Sequence, residues 1–294
     1  MKRSLIPESL RWLAQHPLFR IHPIKVSLRW MYWQGRRFFT QRPMMMDFVN
    51  GSRLRVRYGE GLTGYWYVML PDYDEQLFLL RFLRREDCFY DVGANAGAFT
   101  TLAASLGCTV VGLEPVPHTF ERLLENVKLN EGLGDIRLIQ KAAGAEEGAL
   151  KITTHLGTGN HLVTEGDVAK DTLEIQVTTL DILALSQGFP SFIKIDVEGF
   201  ELEVLQGAGA VLQSERLQGL LIETFRPSSW QEPKLQALEK LLSDHGFKPY
   251  EYVVDKNVLR ELSAPHLGSS NTFYFRDPLR VEGRLNKSVS IPRI

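Results

Sequence analysis

The chain has 294 residues, 44% of them hydrophobic and 23% charged, so it can bury an ordinary core in one large or two small domains. Its two cysteines, Cys88 and Cys108, are too few for a disulfide scaffold or a zinc site and read as free thiols. The net charge of -1 is unevenly spread: residues 1–42 hold nine Lys or Arg against Glu8 alone, so about +8 there is balanced by about -9 in the remainder.

Residues 1–45 read as helical, basic and aromatic, interrupted by Pro7, Pro17, Pro23 and Pro43. A basic arm on an acidic body either packs on that body or docks on an anionic surface. No apolar run of signal-peptide type follows the basic start. Residues 46–70 predict short strands with turns at Asn50-Gly51 and Gly59 to Gly64, and Asp72 to Leu83 has helical spacing. From Cys88 the pattern alternates. Cys88 to Val92 is a strand, Phe99 to Leu106 a helix, Thr109 to Leu113 a strand, Pro117 to Leu129 a helix and Ile136 to Ile139 a strand. Such alternation implies parallel strands with right-handed crossovers. The uncharged stretch Val92 to Leu113 is too rich in Gly, Ala, Ser and Thr to span a membrane.

Ala149 to Thr154 and Leu173 to Thr178 alternate like antiparallel strands, with Gly157 to Lys170 as an insert over the mouth of the site. Ser191 to Asp196 is the fourth core strand, Glu201 to Leu212 a helix and Leu217 to Glu223 the fifth strand. Gln231 to His245 is a helix stopped by Gly246, and Phe247 to Val254 pairs with Thr272 to Phe275.

Chemistry concentrates at two places. Asp91-Val92-Gly93-Ala94-Asn95-Ala96-Gly97 turns from a strand into a helix, where glycines permit a tight bend and a close ligand. Glu114 ends the next strand, where a carboxylate can hold both hydroxyls of a ribose. These features occur in nucleotide-binding folds generally, although the glycine spacing is not G-x-G-x-x-G. The second place is Ile193-Lys194-Ile195-Asp196-Val197-Glu198-Gly199-Phe200-Glu201. Asp196 ends the strand beside the first, on the same rim. Glu201 reads as a helix cap. Lys194, in a strand buried on both faces, needs a partner, expected to be Asp91 or Glu223.

These runs, with Gly112-Leu113-Glu114-Pro115, Thr179-Leu180-Asp181, Leu205-Gln206-Gly207-Ala208, Leu221-Ile222-Glu223 and Asn271-Thr272-Phe273, resemble the FkbM family of methyltransferases over residues 73–276. The resemblance implies a class I, Rossmann-like α/β fold, with a seven-stranded sheet whose last strand is antiparallel. It divides the chain into a basic helical and strand extension (1–70), a methyltransferase domain (71–280) and a tail (281–294). It implies S-adenosylmethionine as donor and a hydroxyl on a sugar, glycan or polyketide-like molecule as acceptor. By position, Asp91, Gly93, Asn95, Gly97, Glu114 and Ala142 would bind the cofactor. Asp196, assisted by Glu198, would orient or deprotonate the acceptor, with His161 on the insert as an alternative base. Lys141 and Gly157-Thr158-Gly159-Asn160-His161 depart from the family pattern.

No dedicated metal ligand set is assigned; Mg²⁺ held by Asp196 and Glu223 is a further option. No nucleic-acid motif accompanies the basic arm. The expectation is a cytoplasmic enzyme whose arm offers peripheral membrane contact. The rivals are an NAD-dependent oxidoreductase and a non-catalytic module that keeps the fold.

Overall fold

The computed structural model describes residues 8–153, 172–224, 232–266, 271–286 and 289. Three helices, α1 (Glu8–Gln15), α2 (Pro17–Ile21) and α3 (Pro23–Arg36), form the arm. Pro17 and Pro23 break it by starting new helices, at positions where a missing N–H costs nothing. A hairpin of β1 (Met44–Asp47) and β2 (Arg53–Val56) turns at Asn50 and Gly51, both at positive φ. Helices α4 (Thr63–Val68) and α5 (Tyr73–Phe82) lead into the sheet, and every residue of α5 except Asp74 and Glu75 is buried.

The alternation that follows is β3 (Cys88–Val92), α6 (Ala98–Ala104), β4 (Thr109–Leu113), α7 (Pro117–Lys128) and β5 (Asp135–Ile139). A small three-stranded sheet comes next, from β6 (Ala142–Ala143), β7 (Gly148–Thr153) and β8 (Thr172–Thr178), with β7 and β8 antiparallel. The chain returns through α8 (Leu180–Gln187), β9 (Phe192–Ile195), α9 (Glu201–Gln206), α10 (Gly209–Gln213), β10 (Gly219–Glu223) and α11 (Glu232–Asp244). It ends with β11 (Lys248–Val253), β12 (Val258–Glu261), β13 (Asn271–Phe275) and α12 (Pro278–Arg284).

The main sheet runs β12-β11-β13-β10-β9-β3-β4-β5. Strands β10, β9, β3, β4 and β5 are parallel, and β13 enters antiparallel between β10 and β11. This is the class I methyltransferase-like arrangement, with eight strands among the described residues rather than the seven expected. The extra strand arises because the chain turns back after β11, with Asn257 at φ 54°, and β12 pairs with β11 at the edge. Arg81 fixes that turn by donating to the Val254 carbonyl at 3.1 Å and to Asn257 Oδ1 at 3.2 Å. The helix expected over Glu201 to Leu212 is two helices, because Gly207 is pressed against Gly144: a Cβ on Gly207 would lie 2.0 Å from the Gly144 carbonyl oxygen.

Apart from Asp91 and Lys194 the central strands are largely apolar, and they are buried on both faces, as parallel strands covered by helices must be. One face carries an aromatic cluster centred on Phe78, whose ring lies 4.6 Å from Phe273 and 5.6 Å from Phe192. The same continuous core reaches Leu13, Leu18, Val26 and Trp33 of the arm. Both cysteines are free, and burial pushes the Cys88 thiol up to about 11 and the Cys108 thiol up to about 12. No described helix is long and apolar enough to cross a membrane.

Candidate active site

The chain leaves β3 for β4 and β5 on one side, then returns to lay β9 on the other side of β3. The order of the strands therefore reverses between β3 and β9, and open α/β sheets bind ligands beyond the carboxyl ends of the strands at such a point. A cavity of about 350 Å³ lies there, of a size that suits a small ligand. Gly93 and Asn95 after β3, Glu114 after β4, Ala142 in β6, and Asp196 and Glu198 after β9 all line it.

Glu114 is buried, and each of its oxygens takes one backbone N–H: Oε2 from Asn95 at 3.1 Å and Oε1 from Val116 at 3.0 Å. Burial raises its carboxyl to about 7 despite those two donors. Each oxygen keeps a second lone pair, so further donors from a ligand would be well received. Asn95 holds φ 49° and caps its own turn by accepting the Ala96 N–H at 2.7 Å. Ile152, Ile175 and Phe200, with Lys141 and Ala142, form part of the remaining wall.

Gly93 and Gly97 both hold positive φ, as the tight bend expected from the sequence requires, and both also make room for neighbouring atoms. A Cβ on Gly93 would lie 1.9 Å from the Asp196 carbonyl oxygen, and one on Gly97 would meet Leu123 Cδ1 at 2.5 Å. Gly93 is needed where two strand ends meet backbone to backbone, whereas Gly97 packs beneath the flexible tip of Leu123 on α7. Gly97 and Asp91 stand behind the cavity wall rather than on it. The Asp91 carboxylate is fully buried and accepts from Thr100 Oγ1 at 2.6 Å.

Lys194 organises the acids. Its Nζ lies 2.9 Å from Asp196 Oδ2, 4.0 Å from Asp91 Oδ1 and 4.9 Å from the centre of the Phe99 ring. Asp91 is a partner as expected, but the nearer one is Asp196, two residues along the same strand end. Burial alone would lower the Lys194 ammonium; the charges of Asp196 and Asp91 outweigh it and push it up to about 12. Burial works to raise Asp196, yet the Lys194 charge and hydrogen bonds from Lys194 and Glu223 hold it below the usual carboxylate range. Glu223, at the end of β10, goes the other way. Burial, the Asp196 charge and its hydrogen bond to Asp196 raise it to about 9, so near neutrality it carries the proton that the pair shares.

One oxygen each from Asp196, Glu198 and Glu223 falls within 4.8 Å of the others. Glu198 is exposed at φ 55°, and Glu201 caps the turn beneath it by accepting from Gly199 N at 3.0 Å and Val197 N at 3.2 Å. His161 and the insert from Gly157 to Lys170 lie outside the described residues. The strands flanking the insert place Ile152 and Ile175 on the cavity wall.

Sequence reasoning missed several contributions, among them His118, Thr119 and Arg122 of α7, which line the cavity. The loop Gly59-Glu60-Gly61 walls the cavity, tied by Glu60 Oε1 to Arg122 Nε of α7 at 3.3 Å. Asp72, at the start of α5, is close enough for Lys194 to lower it and Asp196 to raise it, although burial dominates and leaves it raised. Neither residue carries a motif; the only signal was the Gly59–Gly61 turn itself.

Residues 91–249 match the model of the Methyltransferase FkbM domain, more than half of the chain. Hexuronic acid methyltransferase AglP of Haloferax volcanii is 33% identical over 212 residues, covering 65% of this chain and 79% of that protein. Methyltransferase sdnD of Sordaria araneosa is 27% identical over 192 residues, covering 53% and 72% respectively. Among solved structures, the methyltransferase FkbM of Methylobacillus flagellatus is 17% identical with a TM-score of 0.43; the match covers 72% of this chain and 52%, about half, of that one. The family model runs from the carboxylate behind Gly93, through Glu114 and the Lys194–Asp196 strand end, to β11, and the chain belongs to the FkbM family of methyltransferases.

Proposed function

We propose that the chain transfers the methyl group of S-adenosylmethionine to a hydroxyl oxygen of a sugar or glycan. The observation that carries this reading is that Glu114 and Asp196, from strands on either side of β3, open onto one cavity. The cavity's chemistry fits the donor. Glu114 is a buried acceptor with lone pairs to spare for a ribose diol. Ala142, Ile152, Ile175 and Phe200 offer an apolar slot for adenine, and the bend at Gly93 and Asn95 borders the space left for the methionine portion. Asp91 and Gly97 serve from behind, Asp91 through Lys194 and Gly97 through the seat of α6.

The cofactor, when bound, supplies a methyl carbon already activated by its sulfonium. The chain's task is to align an acceptor oxygen with that carbon and receive its proton. Alignment of this kind contributes about 7–11 kcal/mol in good cases. Asp196, kept ionised by Lys194 and Glu223, accepts a hydrogen bond from the acceptor hydroxyl. A carboxylate held this low is a weak base toward an alcohol. It suffices once the oxygen–carbon bond is forming, because the oxygen then becomes strongly acidic, and the proton passes to Asp196 late. Glu198, on the same wall, supplies a second contact to the acceptor, and His161 remains a candidate base from the insert.

The named activity of the Haloferax relative supports a uronic acid or a similar sugar as the acceptor class. The test is transfer of labelled methyl to uronic-acid-containing glycans, with cofactor affinity measured by calorimetry. Asp196→Asn is expected to lower turnover roughly 10²–10⁴-fold while cofactor still binds. Normal turnover in that variant removes Asp196 from the chemistry; a wild-type chain that fails to bind S-adenosylmethionine removes the whole reading.

A further inference from the structure

We propose that the outer face of the amino-terminal arm docks on an anionic lipid bilayer. The inner face of α3 is committed to the protein. Val26 and Trp33 are buried, and the Trp33 ring lies 4.1 Å from Tyr58 and 5.9 Å from Trp66. The opposite face is apolar too. Ile24, Leu28 and Met31 recur at the spacing of one helical stripe, with Tyr32 beside them, and all four are exposed, Ile24 at 76%. Ile21 precedes the stripe and Phe38 and Phe39 follow it, the last two 81% and 90% exposed. A run of large apolar side chains of this kind marks an interaction surface.

Charge selects the partner. Lys25 stands next to Ile24 on α3, Arg11, Arg20, Arg37 and Arg42 are exposed elsewhere on the arm, and no acidic residue occurs between positions 9 and 42. The rest of the chain is net negative, so an anionic surface attracts the arm and repels the body, which sets a single orientation. Nucleic acid would satisfy the cations and leave the aliphatic stripe in water. An anionic bilayer satisfies both, taking the apolar stripe below the headgroups and the cations at their level. Trp33 rests on Tyr58, which runs directly into the Gly59–Gly61 loop of the cavity wall, so a docked arm holds the catalytic cavity in a fixed attitude to the lipid.

The experiment is co-sedimentation of the full chain with vesicles of equimolar phosphatidylcholine and phosphatidylglycerol, and with vesicles of phosphatidylcholine alone. Strong binding to the mixed vesicles, weakened by salt, is expected. Leu28→Glu should lower that partitioning roughly tenfold or more, and Lys25→Ala about fivefold. Both positions are exposed, so both variants should melt like the parent. The proposal fails if the parent does not bind mixed vesicles at low salt, or if Leu28→Glu binds as well as the parent. It also fails if Leu28→Glu converts a sedimenting dimer to a monomer, because a second copy of the chain then covers the face.

Discussion

A proton shared by Glu223 and Asp196 makes the acid cluster sensitive to alkaline pH. Below about 9 Glu223 is neutral and donates to Asp196; above it two carboxylates face each other, and Asp196 loses that donor. We expect kcat/KM to fall as pH rises through about 9 in the parent. Glu223→Gln, whose amide still donates, should keep most activity at neutral pH and lose that alkaline limb. A pH–rate profile that is the same in both proteins counts against the shared proton. The sign for stability follows from linkage. The folded-state carboxyl is raised from 4.5 to about 9, so its contribution is complete below 4.5 and is lost as pH climbs toward 9. The melting temperature of Glu223→Gln should therefore gain on the parent across that window. Lys194 is the other anchor. Lys194→Met leaves Asp91 and Asp196 without the cation that serves both, and breaking a buried pair from one side typically costs about 3–5 kcal/mol. Urea unfolding reads this directly, and a cost under about 1 kcal/mol, the range of an exposed pair, would mean the acids neutralise themselves by protonation.

Where two elements meet, the same glycine substitution should have unequal effects. Gly93→Ala drives a Cβ into the Asp196 carbonyl, backbone against backbone, at φ 79°. The ends of β3 and β9 must then part, and both Gly93 and Asp196, which touch at those ends, line the cavity. Gly97→Ala meets only the tip of Leu123, which can turn aside, although φ 87° still strains the alanine. Left-handed strain alone costs about 1–3 kcal/mol, so both variants lose stability. Gly93→Ala should also lose cofactor affinity, measured by calorimetry, and Gly97→Ala should largely keep it. The same contrast explains what the sequence disclosed. Strands β3, β4, β9 and β10 were legible because their apolar runs end in motif residues, and α7 because Pro117 opens it and its apolar positions recur at helical spacing. The break between α9 and α10 was hidden, since it depends on how closely Gly207 approaches Gly144. Strand β12 was hidden because its turn is secured by Arg81, some 170 positions earlier. The cavity residues came through where one strand end carries them; Glu60 on the cavity wall, and Asp72, which feels the charges of Lys194 and Asp196, did not, because only the tertiary fold brings them in.

Across the whole molecule, the arm behaves as part of the catalytic body. Leu13, Leu18, Val26 and Trp33 are buried in the core that also holds Phe78, Phe89 and Phe192. His16 sits in that contact as a neutral ring, its pKa lowered by burial, with Nδ1 accepting from Leu18 N–H at 3.2 Å and Nε2 facing the Leu70 carbonyl at 2.9 Å. Each large apolar side chain buried fully contributes about 1.5–3 kcal/mol, so four of them approach the whole stability of a typical domain, about 5–15 kcal/mol. Deleting residues 1–42 therefore removes more than a tether. It strips Trp33 from Tyr58 and Trp66, and Tyr58 leads straight into the loop whose Glu60 ties the cavity wall to Arg122. We expect the truncated chain to melt well below the parent, or to aggregate, and to bind S-adenosylmethionine more weakly where it stays folded. Leu28→Glu, which alters only the outer face, should leave both properties unchanged. If the truncated chain instead melts and binds cofactor as the parent does, the arm is a separable appendage, and the packing of Trp33 on Tyr58 has no bearing on the cavity.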